Sequence, residues 1–259
     1  MGRGLEDFSH LFVSQDAKAK SSLARREVCL FSPFGEIEKP FLVTNLALAL
    51  TQKGRRVGIL EADLQFPPVS HLLDPFHAQL KPLRVLLPPT SSLLQGIAEM
   101  GRQSEIVLID APPFSSPLSQ IILKLVGEAI VILPVDLLGR IGSYQLIKSI
   151  HLFREEVRIG VVIAKVCTAQ EAKANFEGMK AVAGRHLKID LRDYGFLLND
   201  LHISQSIKEG RSPLSSIVPS RLKRAILNIA DLILEGEVDN NFCEKFELAL
   251  REEELGYQG

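Results

Sequence analysis

Short, unbroken apolar runs recur along this chain, each separated from the next by sequence of helical character, and no other feature constrains the fold as much. Val28-Cys29-Leu30-Phe31, Arg56–Leu60, Ile106–Ile109, Ala129–Pro134 and Arg158–Val166 read as strands, with weaker runs near Arg84–Leu87 and Tyr194–Leu198. Between them the sequence predicts a helix through Leu42, Leu46, Ala49 and Leu50 that ends at Gly54. Further helices are predicted over 91–103, 117–126, 142–154, 169–184, 203–209 and 219–235. A strand without apolar/polar alternation is buried on both faces, and parallel strands need crossover helices. The expected class is therefore α/β: a mostly parallel sheet with helices on both faces, a three-layer sandwich.

The 259 residues fit one such domain with short extensions. Residues 1–26 are polar and read as an arm or surface helix, 27–235 as the domain, and 236–259 as an acidic, partly helical tail. Phe242, Phe246 and Leu250 form an i, i+4, i+8 stripe in that tail, the pattern of a segment docked on the domain. A formal charge of −1 sets up no overall field toward nucleic acid or anionic lipid. Arg221-Leu-Lys-Arg224 is a short basic start to an amphipathic helix and reads as a solvated face. The glutamate-rich tail would be repelled by anionic lipid, so no autonomous membrane anchor is expected. The three cysteines and six histidines have no metal-ligand spacing. With no leader-like start, the expected location is the cytoplasm.

In a doubly wound sheet the turn after the first strand is the place for a phosphate, because its amides and the following helix N-terminus favour an anion. A P-loop there reads G-x-x-x-x-G-K-[ST]: glycines let the backbone wrap the phosphates, lysine neutralises them and the hydroxyl ligates magnesium. In Ser32-Pro-Phe-Gly-Glu-Ile-Glu-Lys-Pro40, Pro33 and Glu38 stand at the two glycines, Lys39 at the lysine and Pro40 at the hydroxyl.

The chain at this point resembles the MinD/ParA-type ATPases, with their Mrp-like and bacterial tyrosine kinase relatives, whose loop is the deviant S-G-K-G-G-x-G-K-[ST]. The resemblance runs over about 27–235. It is carried by Asn45-Leu-Ala-Leu-Ala-Leu, Ile59-Leu-Glu-Ala-Asp63-Leu, Val107-Leu-Ile-Asp110-Ala-Pro-Pro, Ile159-Gly-Val-Val-Ile-Ala164-Lys-Val and Ile207-x-x-Gly210-x-x-Pro213-Leu, in order. It implies a P-loop NTPase fold, with Asp63 and Asp110 as magnesium-side carboxylates and Asp63 also placing the attacking water. The departures fall on the chemistry. Phe34 replaces the signature lysine, Glu36 and Glu38 replace loop glycines, Pro40 removes the hydroxyl, and Ala164 removes the adenine-reading amide.

The expected function is that of a degenerate member acting as a regulatory or partner-binding module, with no cofactor and no catalytic residue, its vestigial loop marked by Ser32, Gly35, Lys39 and Pro40. A partner, or a second copy, would meet the loop face around Phe34. Two alternatives stand beside it. One is a functional Mg-ATPase of positioning, partitioning or polysaccharide export, using Lys39, Asp63 and Asp110. The other is a scaffold subunit paired with an intact homologue. On the plain reading Lys39 is a solvated lysine or the partner of Glu36 or Glu38. Asp63 and Asp110 then cap turns, and Phe34 either folds into the nucleotide cavity or faces solvent.

Overall fold

The computed structural model describes residues 26–34, 38–63, 69, 80, 82–85, 90–199, 220–236 and 246–251. The strands are β1 (Arg26–Phe31), β2 (Val57–Glu61), β3 (Leu83–Arg84), β4 (Ile106–Asp110), β5 (Glu128–Pro134), β6 (Arg158–Val166) and β7 (Arg192–Leu198). The helices are α1 (Glu38–Gln52), α2 (Ser91–Gln103), α3 (Pro117–Leu125), α4 (Leu137–Phe153), α5 (Ala169–His186) and α6 (Ser220–Leu234). A further helical stretch covers 246–251. The strands form one sheet in the order β3-β2-β4-β1-β5-β6-β7, and every pairing is parallel. This is the α/β sandwich that the uninterrupted apolar runs predict.

Strand periodicity assigns the layers. In β1, Val28 and Leu30 pack with α1 and α6 on one face, whereas Cys29 and Phe31 pack with α2, α3, α4 and α5 on the other. The sheet centre is apolar on both faces, so α1, caught between sheet and α6, is buried almost throughout. Phe246 and Leu250 lie fully buried in the four-helix layer's core, which ties the tail to the domain; Phe242 lies outside the described residues.

Several boundaries differ from the sequence reading. The first strand opens at Arg26, inside the stretch read as an arm, because Arg26 is paired under the sheet. Its Nη2 donates to Glu128 Oε2 (2.6 Å) and to Tyr194 Oη (2.8 Å), and Tyr194 donates to Glu128 Oε1 (2.5 Å). Tyr194 reaches this position by lying on Gly160, where a Cβ would come within 2.4 Å of the ring. Helix α4 begins at Leu137, five residues before the predicted start at 142, because the Asp136 side chain accepts from Gly139 N (2.8 Å) and caps it. The predicted helix at 203–209 and the stretch from Ile207 to Pro213-Leu lie outside the described residues. Arg221, Lys223 and Arg224 are solvent-facing on α6, with Leu222 buried between them. Among the described residues no helix is long and apolar enough to cross a membrane.

Candidate functional site

The chain leaves β1 toward β2 through α1 on one face and passes from β4 to β5 through α3 on the other, so the carboxyl ends of β1 and β4 flank the crevice where α/β sheets hold ligands. Three charged side chains converge there. Lys39 enters from the first turn of α1, Asp63 from just past β2, and Asp110 from the last position of β4. The parallel pairing of β2 with β4 sets Glu61 beside Asp110, and the amides of Ala62 and Asp63 both donate to the Asp110 carbonyl (3.0 Å each). This registers the two carboxylates against each other.

Lys39 closes the group. Its Nζ donates to Asp63 Oδ2 (2.7 Å) and to the Ala111 carbonyl, and stands 2.9 Å from Asp110 Oδ1. All three side chains are buried, with Lys39 only 2% exposed. The plain sequence reading of Lys39 is thereby corrected. It is neither solvated nor paired with Glu38, because from the second residue of α1 it points down into the crevice. Glu38 instead lies 3.5 Å from the Lys165 ammonium. Glu36 and Gly35 lie outside the described residues.

The electrostatics follow from burial. Removal from water raises the Asp110 carboxyl to about 6, against the pull of Lys39, and the neighbouring charges of Asp63 and Glu61 add to the rise. Beneath them, burial pushes the Cys29 thiol well above its ordinary value, and the Lys39 charge offsets only part of that. Sequence reasoning missed Cys29 as a neighbour of this group and missed the Ala111 carbonyl, since backbone acceptors leave no mark in residue type. Glu61, in the Ile59-Leu-Glu-Ala-Asp63 segment singled out from sequence, is fully buried and met by Arg84 Nε at 2.9 Å.

The remaining loop positions lie around the group. Pro40 is buried in the first turn of α1, where its missing N–H costs nothing, and its carbonyl accepts from Thr44 Oγ1 (2.8 Å). Ser32 Oγ donates to the Phe34 carbonyl at 2.6 Å. The Phe34 ring leans against Gly142 of α4, where a Cβ would lie 2.9 Å from it, and the residue remains 50% exposed. Ala164 is fully buried near the end of β6, and Lys165 after it adopts a left-handed backbone (φ 64°) at a break in the β6–β7 register. Leu137, Leu138 and Ile141 on α4 are exposed apolar residues on the same helix that carries Gly142. The late placement of the α4 start hid them from sequence reasoning. Asp136, a cap residue ahead of Leu137-Leu138, was the available signal. Among the described residues no cluster of His, Cys, Asp and Glu forms a metal site.

No protein-family model matches the chain. An iron–sulfur cluster carrier protein of Haemophilus influenzae is 26% identical over 164 residues, covering 60% of this chain and 41% of that protein. A similarly named protein of Methanocaldococcus jannaschii is 32% identical over 69 residues, 26% of this chain and 24% of its own length. The chain thus spans less than half of these relatives. The MinD cell division protein of Aquifex aeolicus superposes with a TM-score of 0.62 at 15% identity, covering 83% of this chain and 98% of that one. A ParA family ATPase of Chlorobium tepidum gives 0.61 at 16% identity, over 83% and 99% of the two chains. With a P-loop-type crevice at the ends of β1 and β4, and these neighbours matched over nearly their whole length, the chain has the fold of the MinD and ParA ATPases.

Proposed function

We propose that this chain is a MinD/ParA-fold protein whose nucleotide site has been converted into an internal ion cluster, and that it works as a regulatory or partner-binding module through the loop face around Phe34. One observation carries the reading. Lys39, which a P-loop would present to phosphate, is buried and has both crevice carboxylates and a carbonyl as its partners. A nucleotide phosphate would have to break those contacts and enter beside two acidic groups, without the loop glycines whose amides cradle it. Magnesium fits poorly as well, since Pro40 supplies no hydroxyl and Asp63 and Asp110 already face an ammonium. The Glu38–Lys165 pair adds a further charged contact between α1 and the end of β6.

The half-exposed Phe34 and the exposed Leu137, Leu138 and Ile141 of the adjacent helix support a partner face. One of the structural neighbours is a MinC:MinD cell division protein complex from Aquifex aeolicus, at 12% identity and a TM-score of 0.62, so this fold holds a protein partner elsewhere. Cluster carriage, which the names of the two relatives suggest, gains no support from the cysteines. Among the described residues these are Cys29, buried in the central strand, and Cys167, exposed beyond β6; Cys243 lies outside them.

A second reading, a working Mg-ATPase, is favoured by the convergence of Lys39, Asp63 and Asp110 in one crevice. Thermal unfolding with and without millimolar Mg-ATP and Mg-ADP separates the two. A ligand at 100 times its Kd adds about 2.7 kcal/mol, a rise of several degrees. The proposed reading expects no shift with either nucleotide. A saturable shift that vanishes in Asp63→Ala overturns it.

A further inference from the structure

Among the described residues, seven large apolar side chains are exposed, and six of them lie on or beside one helix. Leu137, Leu138, Ile141 and Leu152 belong to α4. Phe34 leans on its Gly142, and Val182 of α5 faces Leu137 and Ile141 across a groove of about 640 Å³. The inner face of α4 is apolar as well, with Leu146, Ile147 and Ile150 in the core of the four-helix layer. A helix apolar all round belongs inside a protein, yet Leu138 and Leu152 on the outer side are 69% and 67% exposed.

The outer line of α4 is complementary to its own reverse. Leu138, Ile141, Gln145, Lys148 and Leu152 follow one another at spacings of three and four, the seam of a paired helix, and all five are exposed. Laid antiparallel about Gln145, a second copy sets its Leu152 on Leu138 and the aliphatic stem of its Lys148 on Ile141. The two Gln145 amides then meet on the axis, each a donor and an acceptor for the other. A parallel pair would instead stack Lys148 on Lys148. Charge allows the approach. Asp136, Glu155 and Glu156 stand against Arg140, Lys148 and Arg154, a formal sum of zero over α4 and its flanks. The antiparallel arrangement brings the N-cap Asp136 of each copy to the C-cap Arg154 of the other. From Leu138 to Leu152 the seam runs about 21 Å, with Phe34 and Val182 beside it.

We propose that two copies of this chain pair through the outer face of α4, the helices antiparallel and Gln145 at the two-fold axis. This makes a second copy the occupant of the face that Leu138 and Phe34 present. It does not rest on the loss of the nucleotide site, since none of the seam residues belongs to the Lys39 cluster. A thermal shift with Mg-ATP overturns the nucleotide reading and leaves the pairing untouched.

Sedimentation velocity of the full chain without nucleotide, from about 2 to about 200 μM, tests it. Wild type is expected to pass from 28.7 kDa toward twice that mass as the concentration rises. Leu138→Glu and Leu152→Lys each put a lone charge into the seam at an exposed position, so the monomer keeps its fold and the dimer weakens at least about tenfold. In Leu138→Glu/Leu152→Lys the two new charges are opposite in sign and face each other across both ends of the antiparallel seam, so the double variant regains most of that loss. A wild type that stays at 28.7 kDa at every concentration overturns the proposal. So does a dimer that Leu138→Glu leaves as tight as before, since the contact then lies elsewhere. A double variant no tighter than the single ones overturns it too, since the pair is then not antiparallel. Should Leu138→Glu fold poorly, Ile141→Lys serves the same purpose, and an undiminished dimer in that variant refutes the seam.

Discussion

Lys39 holds two buried carboxylates apart from water, so its charge matters to the fold before it matters to any ligand. Lys39→Met keeps the length of the side chain and deletes the ammonium, leaving Asp63 and Asp110 facing each other uncompensated. Breaking a buried ion pair in this way costs about 3–5 kcal/mol, and urea unfolding of the variant should give a loss in that range. Adding Asp110→Asn to Lys39→Met should recover part of the loss by removing one of the stranded charges. A lysine kept only for phosphate would leave stability nearly unchanged when replaced.

Asp110 makes a second residue-scale prediction. Its folded value of about 6 lies above the ordinary 3.8, so between those values the folded chain holds a proton that the unfolded chain has lost. Stability from this group is then full below about pH 4 and is lost as pH rises through about 6. Melting temperatures from pH 4 to 7 should show a falling component in wild type that is absent in Asp110→Asn, with the acid-denaturation background common to both. An identical profile in the two proteins would contradict the assignment. From sequence the types and order of Lys39, Asp63 and Asp110 were legible. Their mutual pairing was not, because it depends on the β2–β4 register and on which way the first turn of α1 points.

Elements were easiest to read where local signals and burial agree. Helix α2 matches its predicted span of 91–103: Thr90 caps it by accepting from Leu93 N (3.2 Å), and Leu93, Leu94 and Ile97 form its buried stripe. Helix α4 was misread at its start because Leu137 and Leu138 are exposed and the buried Gly139 has no side chain to add to an apolar stripe; its first turn is held by the Asp136 cap. Asp136→Ala should therefore cost about 1 kcal/mol and fray that turn, seen as faster exchange of the Gly139 and Arg140 amides. The tail is the reverse case. Its stripe was visible in sequence, and Phe246 sits fully buried against the four-helix layer. Phe246→Ala should lower stability by about 3–5 kcal/mol, measured by denaturant unfolding. A loss below about 1 kcal/mol would mean the tail is not part of the core.

At the scale of the molecule, one parallel sheet with β1 at its centre makes the crevice and the loop face neighbours by construction, because the first turn of α1 and the first turn of α4 both rise at the carboxyl ends of central strands. If the ion cluster has replaced the nucleotide, assembly through this face is independent of ATP. Sedimentation velocity should then give the same distribution with and without Mg-ATP. Phe34→Ser/Leu138→Ser, confined to exposed positions, should leave stability within about 0.5 kcal/mol of wild type.

Hydrophobic patterning by itself determined the class of fold, the order of strands and helices, and the turn where the unusual loop lies, because both-face burial and helical periodicity are properties of local sequence. Which residues that loop meets was decided only by tertiary structure. The register of β2 on β4 brings Glu61 and Asp63 to Asp110, and the crossing of α1 over the sheet drops Lys39 between them. Tyr194 meets Arg26 and Glu128 only because β7 and β1 flank the β5–β6 pair. Contacts between residues 24 to 168 positions apart are fixed by how strands are ordered and how helices lie across them, and no local pattern encodes that distance.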